Sequence, residues 1–207
     1  MKLSLRERAE NYARVFPEFP GSHLRVLVDA DGRETVQGIW MFGQDYRNKS
    51  DYYGAYPGNY LERLQAMFPD YALITGMLPL GGRVLHAFSG SLPPGPYTRC
   101  DVVQPAELQC DVSEIGECYP DVPDFELIVA DTPYSTADSK KYKSPPPNRR
   151  KVLAGLAMVA TPGALLCWLD TQWPMHRKDQ WSTVGMIYIQ RSTNHRIRLL
   201  SIFERAQ

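Results

Sequence analysis

An apolar run, Phe125-Glu126-Leu127-Ile128-Val129-Ala130, leads directly into Asp131-Thr132-Pro133-Tyr134. An acid, a free main-chain carbonyl, a proline and an aromatic ring at the end of a buried strand make a rigid bracket. The chemistry it suits is attack by an aromatic amine. Such an amine is a poor nucleophile, because its lone pair is delocalised into the ring. The Asp131 carboxylate and the Thr132 carbonyl together accept both amino hydrogens, which turns the lone pair toward an electrophilic methyl. The same carboxylate favours a cationic transition state. Tyr134 offers a ring face on which a base can stack. The plain alternative for Asp131 is a helix N-cap in an ordinary turn.

Two further sets of residues accompany the bracket. Val84-Leu85-His86-Ala87-Phe88-Ser89-Gly90-Ser91 reads as an apolar strand ending in a tight Gly/Ser turn. A turn of this kind lets the backbone approach a ligand at the C-terminal end of a parallel strand, where open α/β sheets bind ligands. Asp101, at the end of the next strand run, is placed to accept from ribose hydroxyls. Asp111, after the short run Ala106–Cys110, is placed to accept from an adenine amino group. Just beyond the bracket lies a basic segment with an interleaved aromatic: Lys140, Lys141, Tyr142, Lys143, Arg149 and Arg150. Cations suit phosphate contact and the tyrosine suits base stacking, although a solvated surface loop has the same composition.

Positioning these residues requires buried parallel strands. The runs VLHAF, TRCDVV, FELIVA and ALLCWL are short and continuously apolar, as expected of strands covered on both faces by helices. Lys151–Ala160 reads as one such helix, stopped by Thr161-Pro162-Gly163. VGMIYIQ and IRLLSIF read as an antiparallel hairpin at the sheet's end. A second basic cluster, Arg191, His195, Arg196 and Arg198, falls on that hairpin. Upstream, Ser4–Val15 reads as an amphipathic helix. Leu24–Val28 and Thr35–Trp40 read as a hairpin turning at Asp29-Ala30-Asp31-Gly32. Residues 41–60 are aromatic, Gly-rich and aperiodic, a loop of functional length. A helix follows over Asn59–Phe68, with Asn59 as N-cap and Glu62 as its reciprocal acid.

Composition bounds the rest. The chain has 207 residues with Lys+Arg and Asp+Glu at 23 each, so its net charge is zero. That argues against indiscriminate coating of nucleic acid, which needs phosphate neutralisation, but allows a local basic face. No stretch is apolar enough to span a membrane. Cys100, Cys110, Cys118 and Cys167 form no close pair along the chain, so free thiols, no metal site and a reducing cytoplasm are expected. One domain over 1–207 is expected, with an N-terminal extension over 1–58 and a catalytic core over 59–207.

VLHAFSGS followed by FELIVADTPYS resembles the FxGxG and DPPY motifs of DNA amino-methyltransferases, the N6-adenine and N4-cytosine class. Tyr56-Pro57-Gly58-Asn59-Tyr60-Leu61-Glu62-Arg63 resembles that class's additional motif beside the cofactor's methionine moiety. The resemblance runs from about Met41 to the end, in the order called gamma. It implies a Rossmann-like class I methyltransferase sheet, α/β and mostly parallel with a terminal antiparallel hairpin, plus the short N-terminal helix and hairpin. It implies S-adenosyl-L-methionine as cofactor, with Tyr56, Pro57, Gly58, His86, Phe88, Ser89, Gly90, Ser91, Asp101 and Asp111 around it. The implied reaction is methyl transfer to an exocyclic base amine, N6 of adenine in DNA foremost, with Asp131, Thr132, Pro133 and Tyr134 at the chemistry. Thr132 stands where the family has its first proline, which keeps the carbonyl and loosens the bracket. About ten residues separate the first two core strands, so the usual crossover helix is expected to be missing.

Alternatives remain open at this level. An RNA base or a protein glutamine amide would use a similar bracket. A non-catalytic methyltransferase-like binding subunit would tolerate Thr132 and the altered turn. A nicotinamide-binding domain is disfavoured, because no G-x-G-x-x-G is present.

Overall fold

A computed structural model describes residues 2–17, 24–42, 56–76, 82–121, 124–191 and 194–207. The elements in chain order are α1 (Leu5–Val15), β1 (Arg25–Val28), β2 (Glu34–Phe42), α2 (Tyr60–Met67), β3 (Val84–Ala87) and β4 (Thr98–Cys100). A single 3-10 turn over Val112–Glu114 leads into α3 (Ile115–Cys118). Then come β5 (Phe125–Asp131), α4 (Thr136–Tyr142), α5 (Arg149–Met158), β6 (Ala160–Asp170), β7 (Trp181–Arg191) and β8 (Asn194–Arg205).

The strands form one eight-stranded sheet in the order β1-β2-β7-β8-β6-β5-β3-β4. Six strands share one direction, while β1 and β8 run against them. This is the α/β, mostly parallel arrangement expected of a Rossmann-like methyltransferase sheet. Two details differ from expectation. The β7–β8 hairpin is not at the sheet's end, because β2 and β1 continue the sheet beyond β7, and β8 inserts between β6 and β7. The N-terminal hairpin is not an appendage either, since β2 pairs in parallel with β7 and extends the same sheet.

Core packing explains the apolar runs. Leu127 and Val129 of β5 join the cluster beneath α1 and α2, while Ile128 and Ala130 join the cluster beneath α5. A strand buried on both faces has no polar side to alternate with. Gly155 brings α5 against the 3-10 turn: a Cβ there would lie 2.8 Å from the main-chain oxygens of Val112 and Ser113. α1 starts at a capping box between Ser4 and Glu7. At the α1–α2 contact, buried Arg8 pairs with Asp70 at 2.5 Å. The turn after β1 is organised by Asp29, whose Oδ1 accepts from the Asp31 and Arg33 amides. These aspartates are therefore turn chemistry, and among the described residues no cluster of ligating side chains could hold a metal.

Three local expectations are corrected. Asn59 sits in the left-handed region at φ 63° and its side chain caps nothing. Its amide is turned away from the free N–H groups of the first turn. Thr161-Pro162-Gly163 do not separate α5 from β6; they open β6, as an irregularity in its register with β5. The basic segment is not all loop, because 136–142 form a short helix capped by Ser135. The connection between β3 and β4 has no helix, as expected. Most of the aromatic loop, residues 43–55, lies outside the described residues, as do the side chains of Arg191, His195 and Arg196. Among the described residues, no helix is long and apolar enough to cross a membrane.

Candidate active site

From β3 the chain moves outward to β4, then returns to the other side of β3 as β5. The β3/β5 boundary is thus the point where strand order reverses, and open α/β sheets bind ligands outside the C-terminal strand ends at such a point. Ala87 pairs with Ala130, so the turn after β3 and the bracket after β5 face each other across that boundary.

The bracket is tightly held. Tyr134 donates its hydroxyl to Asp131 Oδ1 at 2.6 Å. Burial pushes the Asp131 carboxyl up to about 7, against the pull of the Tyr134 hydroxyl and the Arg198 cation. Burial raises the Tyr134 phenol well above its ordinary range too, with the Asp131 charge adding to the effect. Thr132 is buried and donates its hydroxyl to Asp170 Oδ2 at 3.1 Å. Asp170, fully buried at the end of β6, receives Arg149 Nε at 2.6 Å and Nη2 at 3.1 Å. Arg149 also reaches the Tyr134 carbonyl at 3.3 Å. Thr132 therefore does not loosen the bracket. Its hydroxyl, which proline lacks, ties the bracket to the neighbouring strand.

Arg149 was expected to meet phosphate, but its guanidinium is committed to Asp170. The other members of the basic segment sit apart from the bracket's interior. Lys140, Lys141, Lys143 and Arg150 are exposed. Tyr142 is half-buried, with the Lys141 ammonium 5.7 Å from its ring centre.

On the β3 side, Phe88 and Gly90 both adopt positive φ, 58° and 54°. Such a conformation is natural for Gly90 and strained for Phe88. Asp101 fastens the turn: Oδ2 accepts from the Gly90 amide at 2.9 Å, and Oδ1 accepts from the Val103 and Gln104 amides. Asp111 caps the 3-10 turn through Ser113, with Oδ1 alone. Ser89 is buried with its hydroxyl unpartnered, and Ser91 is half-buried at the end of the same turn.

His86, Tyr56 and Pro57 pack behind this turn. His86 is wholly buried and shares a 2.9 Å hydrogen bond with the Tyr56 hydroxyl through Nδ1. Burial lowers its imidazole to about 3, so the ring is neutral. Tyr97 packs edge-on at 4.5 Å. His86 thus supports the pocket from beneath rather than lining it. Pro57 is buried, whereas Gly58 is exposed.

One functional candidate escaped the sequence reading, and a second was named there without its place. Asp170 carried a usable signal: ALLCWLD ends in an acid as FELIVAD does, and the two strands are adjacent. Arg198 stood in the second basic cluster, but nothing in the sequence set it beside the bracket. It projects from β8 so that its guanidinium lies 5.3 Å from the centre of the Tyr134 ring.

The orphaned buried hydroxyl of Ser89 and the acids Asp101 and Asp111 after successive strand runs are donor and acceptor groups of the kind that a ribose and an adenine would need.

No protein-family model matches the chain, and no curated protein matches it. Among solved structures, TrmN from Thermus thermophilus matches at a TM-score of 0.44 and 15% identity, over 68% of this chain and 47% of that one. The chain spans about half the length of that protein.

Proposed function

We propose that this protein transfers the methyl group of S-adenosylmethionine to an exocyclic amino group of a nucleic-acid base. The observation that carries the reading is the Asp131 carboxylate, held half-buried at the end of β5 and facing the β3 turn across the strand-order reversal.

Bound at that turn, the cofactor supplies an electrophilic methyl on a sulfonium. The Gly90 turn, Ser89, Asp101 and Asp111 hold it, with Tyr56, Pro57 and His86 packed behind. The protein's own work is orientation. Tyr134 occupies Asp131 Oδ1, which leaves Oδ2 for one amino hydrogen while the Thr132 carbonyl takes the other. Fixing the lone pair in line removes much of the entropic part of the barrier. The carboxylate stabilises the positive charge that grows on nitrogen. Asp131 or water then takes the released proton, and a carboxyl raised to about 7 is suited to that transfer.

A base inside a duplex does not reach such a bracket, so the acceptor is flipped out or already unpaired. Adenine N6 in DNA is the first acceptor the reading names. The test is incubation of the protein with labelled S-adenosylmethionine and a panel of single- and double-stranded DNA and RNA, followed by nucleoside mass spectrometry. N6-methyladenine in DNA is the expected product. Label only in RNA reassigns the polymer. Label only in protein, or none at all, overturns the reading.

A further inference from the structure

Arg198 is unusual among the arginines of this molecule. Its Nε and Nη1 atoms are buried and have no hydrogen-bond partner. Arg149 and Arg99, by contrast, are each paired with a carboxylate, and Arg8, which also keeps an unpartnered Nε, holds Asp70 through both of its terminal nitrogens. A buried guanidinium group with unmet N–H donors is costly to keep, because those donors have given up water and gained nothing in return. Such orphaned donors point to a ligand that completes them.

Its place narrows what that ligand is. Arg198 stands on β8, opposite Ile189 of β7 and one strand from Asp170. Its cation lies over Tyr134, whose hydroxyl is on Asp131. The unmet donors therefore belong to the same pocket as the carboxylate proposed to hold the amine. Because these nitrogens are shielded from solvent, a backbone phosphate passing outside is poorly placed to meet them. A planar group inserted beside Tyr134 is well placed.

We infer, on the strength of the proposed methyl transfer, that Arg198 is a specificity-determining residue which donates to the ring nitrogen next to the substrate's amino group. Adenine and cytosine share this feature: each carries a ring lone pair, N1 or N3, directly beside the exocyclic amine. A site with acceptors for the amine and a fixed cationic donor for its neighbour reads that pair of atoms. A base lacking the ring acceptor leaves the donor unmet, which is where hydrogen-bonding sites discriminate most strongly.

The experiment replaces the target adenine of the methylated oligonucleotide with 1-deazaadenine or 7-deazaadenine and compares kcat/KM. If the product is N4-methylcytosine, 3-deazacytosine takes the first role. Removing N1 does not make the amine less nucleophilic, so any loss reports a missing hydrogen bond. Wild-type protein is expected to lose about 10- to 100-fold with 1-deazaadenine and little with 7-deazaadenine. Arg198→Gln and Arg198→Lys are expected to lose a similar factor with adenine and to stop distinguishing the 1-deaza base. Comparable performance of wild type on adenine and 1-deazaadenine overturns the assignment, and so does a multiplicative loss in the variants. The wild-type comparison stands even if a variant fails to fold. Absence of methylation on any unmodified nucleic acid is a different failure, that of the methyl-transfer reading itself.

Discussion

Arg149 and Asp170 form a two-point ion pair, 2.6 and 3.1 Å, behind a bracket in which neither acts on substrate. Asp170 is fully buried, and Thr132 leans on it. Removing the cation leaves a carboxylate stranded in a low-dielectric interior. Arg149→Met is therefore expected to cost about 3 kcal/mol in urea unfolding. Turnover should fall with it, because Thr132 loses its anchor. The double change Arg149→Met with Asp170→Leu should recover stability and leave turnover low. A single variant as stable as wild type would show that the pair carries no structural weight.

The Asp131 carboxyl, raised by burial to about 7, sets two opposite pH dependences. Holding the amine needs the ionised form, so kcat should rise with pH through about 7 and level off above it. Stability runs the other way. A carboxyl raised in the folded state binds its proton more tightly there than in the unfolded chain, whose ordinary value is 3.8. The folded state is thus favoured below that value, and the advantage is lost as pH rises toward 7. Asp131→Asn should be more stable than wild type at pH 8 by on the order of 2 kcal/mol, and the gap should close in acid. It should also lose the rising limb of the rate profile. A wild-type rate that is flat from acid to neutral pH counts against Asp131 as the acceptor of the amine.

His86 adds a second titration with its own sign. Its imidazole is lowered by burial to about 3, so the unfolded chain protonates first as pH falls. Stability contributed by the neutral ring is present above the ordinary value of 6.5 and is lost on the way down. His86→Phe should flatten the decline in melting temperature between pH 7 and 4. It should also lower stability at pH 7 by roughly 1 kcal/mol, for the missing bond to Tyr56. An unchanged slope would mean that the ring reaches water.

How much of this was legible in the chain differs element by element. FELIVA and ALLCWL announced buried parallel strands because nothing in them alternates. The bracket was legible because its four residues are contiguous, and Asp29 because a turn is local. What failed was non-local. No periodicity tells VGMIYIQ and IRLLSIF to insert β8 beside β6, since that is decided by which edge β6 leaves open after pairing with β5. Arg149 reads as one of several cations until Asp170 is brought beside it from another strand. Asn59 followed by Glu62 matches a capping pattern, but the backbone at Asn59 turns left-handed and places the amide elsewhere.

Asp101 is expected to meet a ribose, and in the structure it also ties the β3 turn, through the Gly90 amide, to its own loop, through the Val103 and Gln104 amides. Asp101→Ala should weaken binding of S-adenosylmethionine, or of its demethylated product, by about 1.5–3 kcal/mol in calorimetry. Melting temperature should fall as well. Asp101→Asn retains an acceptor oxygen and should lose less on both counts. Undamaged affinity in the alanine variant would remove this turn from the cofactor site.

The remaining cations of the basic segment belong to a different kind of test. Lys140 and Lys141 end α4, and Lys143 caps it in a left-handed conformation. All three are exposed, and α4 begins two residues after Tyr134, with Ser135 between them as its N-cap. A base held at the bracket places its flanking phosphates near the rim, and cations there raise affinity in a way that falls steeply with salt. Replacing Lys140, Lys141 and Lys143 with alanine should weaken binding to single-stranded DNA at low salt. It should also make the slope of log affinity against log salt shallower by up to about 3, roughly one for each phosphate no longer neutralised. Cofactor affinity and melting temperature should stay near wild type, because none of the three supports the bracket. Arg149→Met should show the reverse pattern, with stability reduced and the salt slope kept. A triple variant that binds and methylates like wild type at every salt concentration would make α4 a solvated face with no part in holding the nucleic acid.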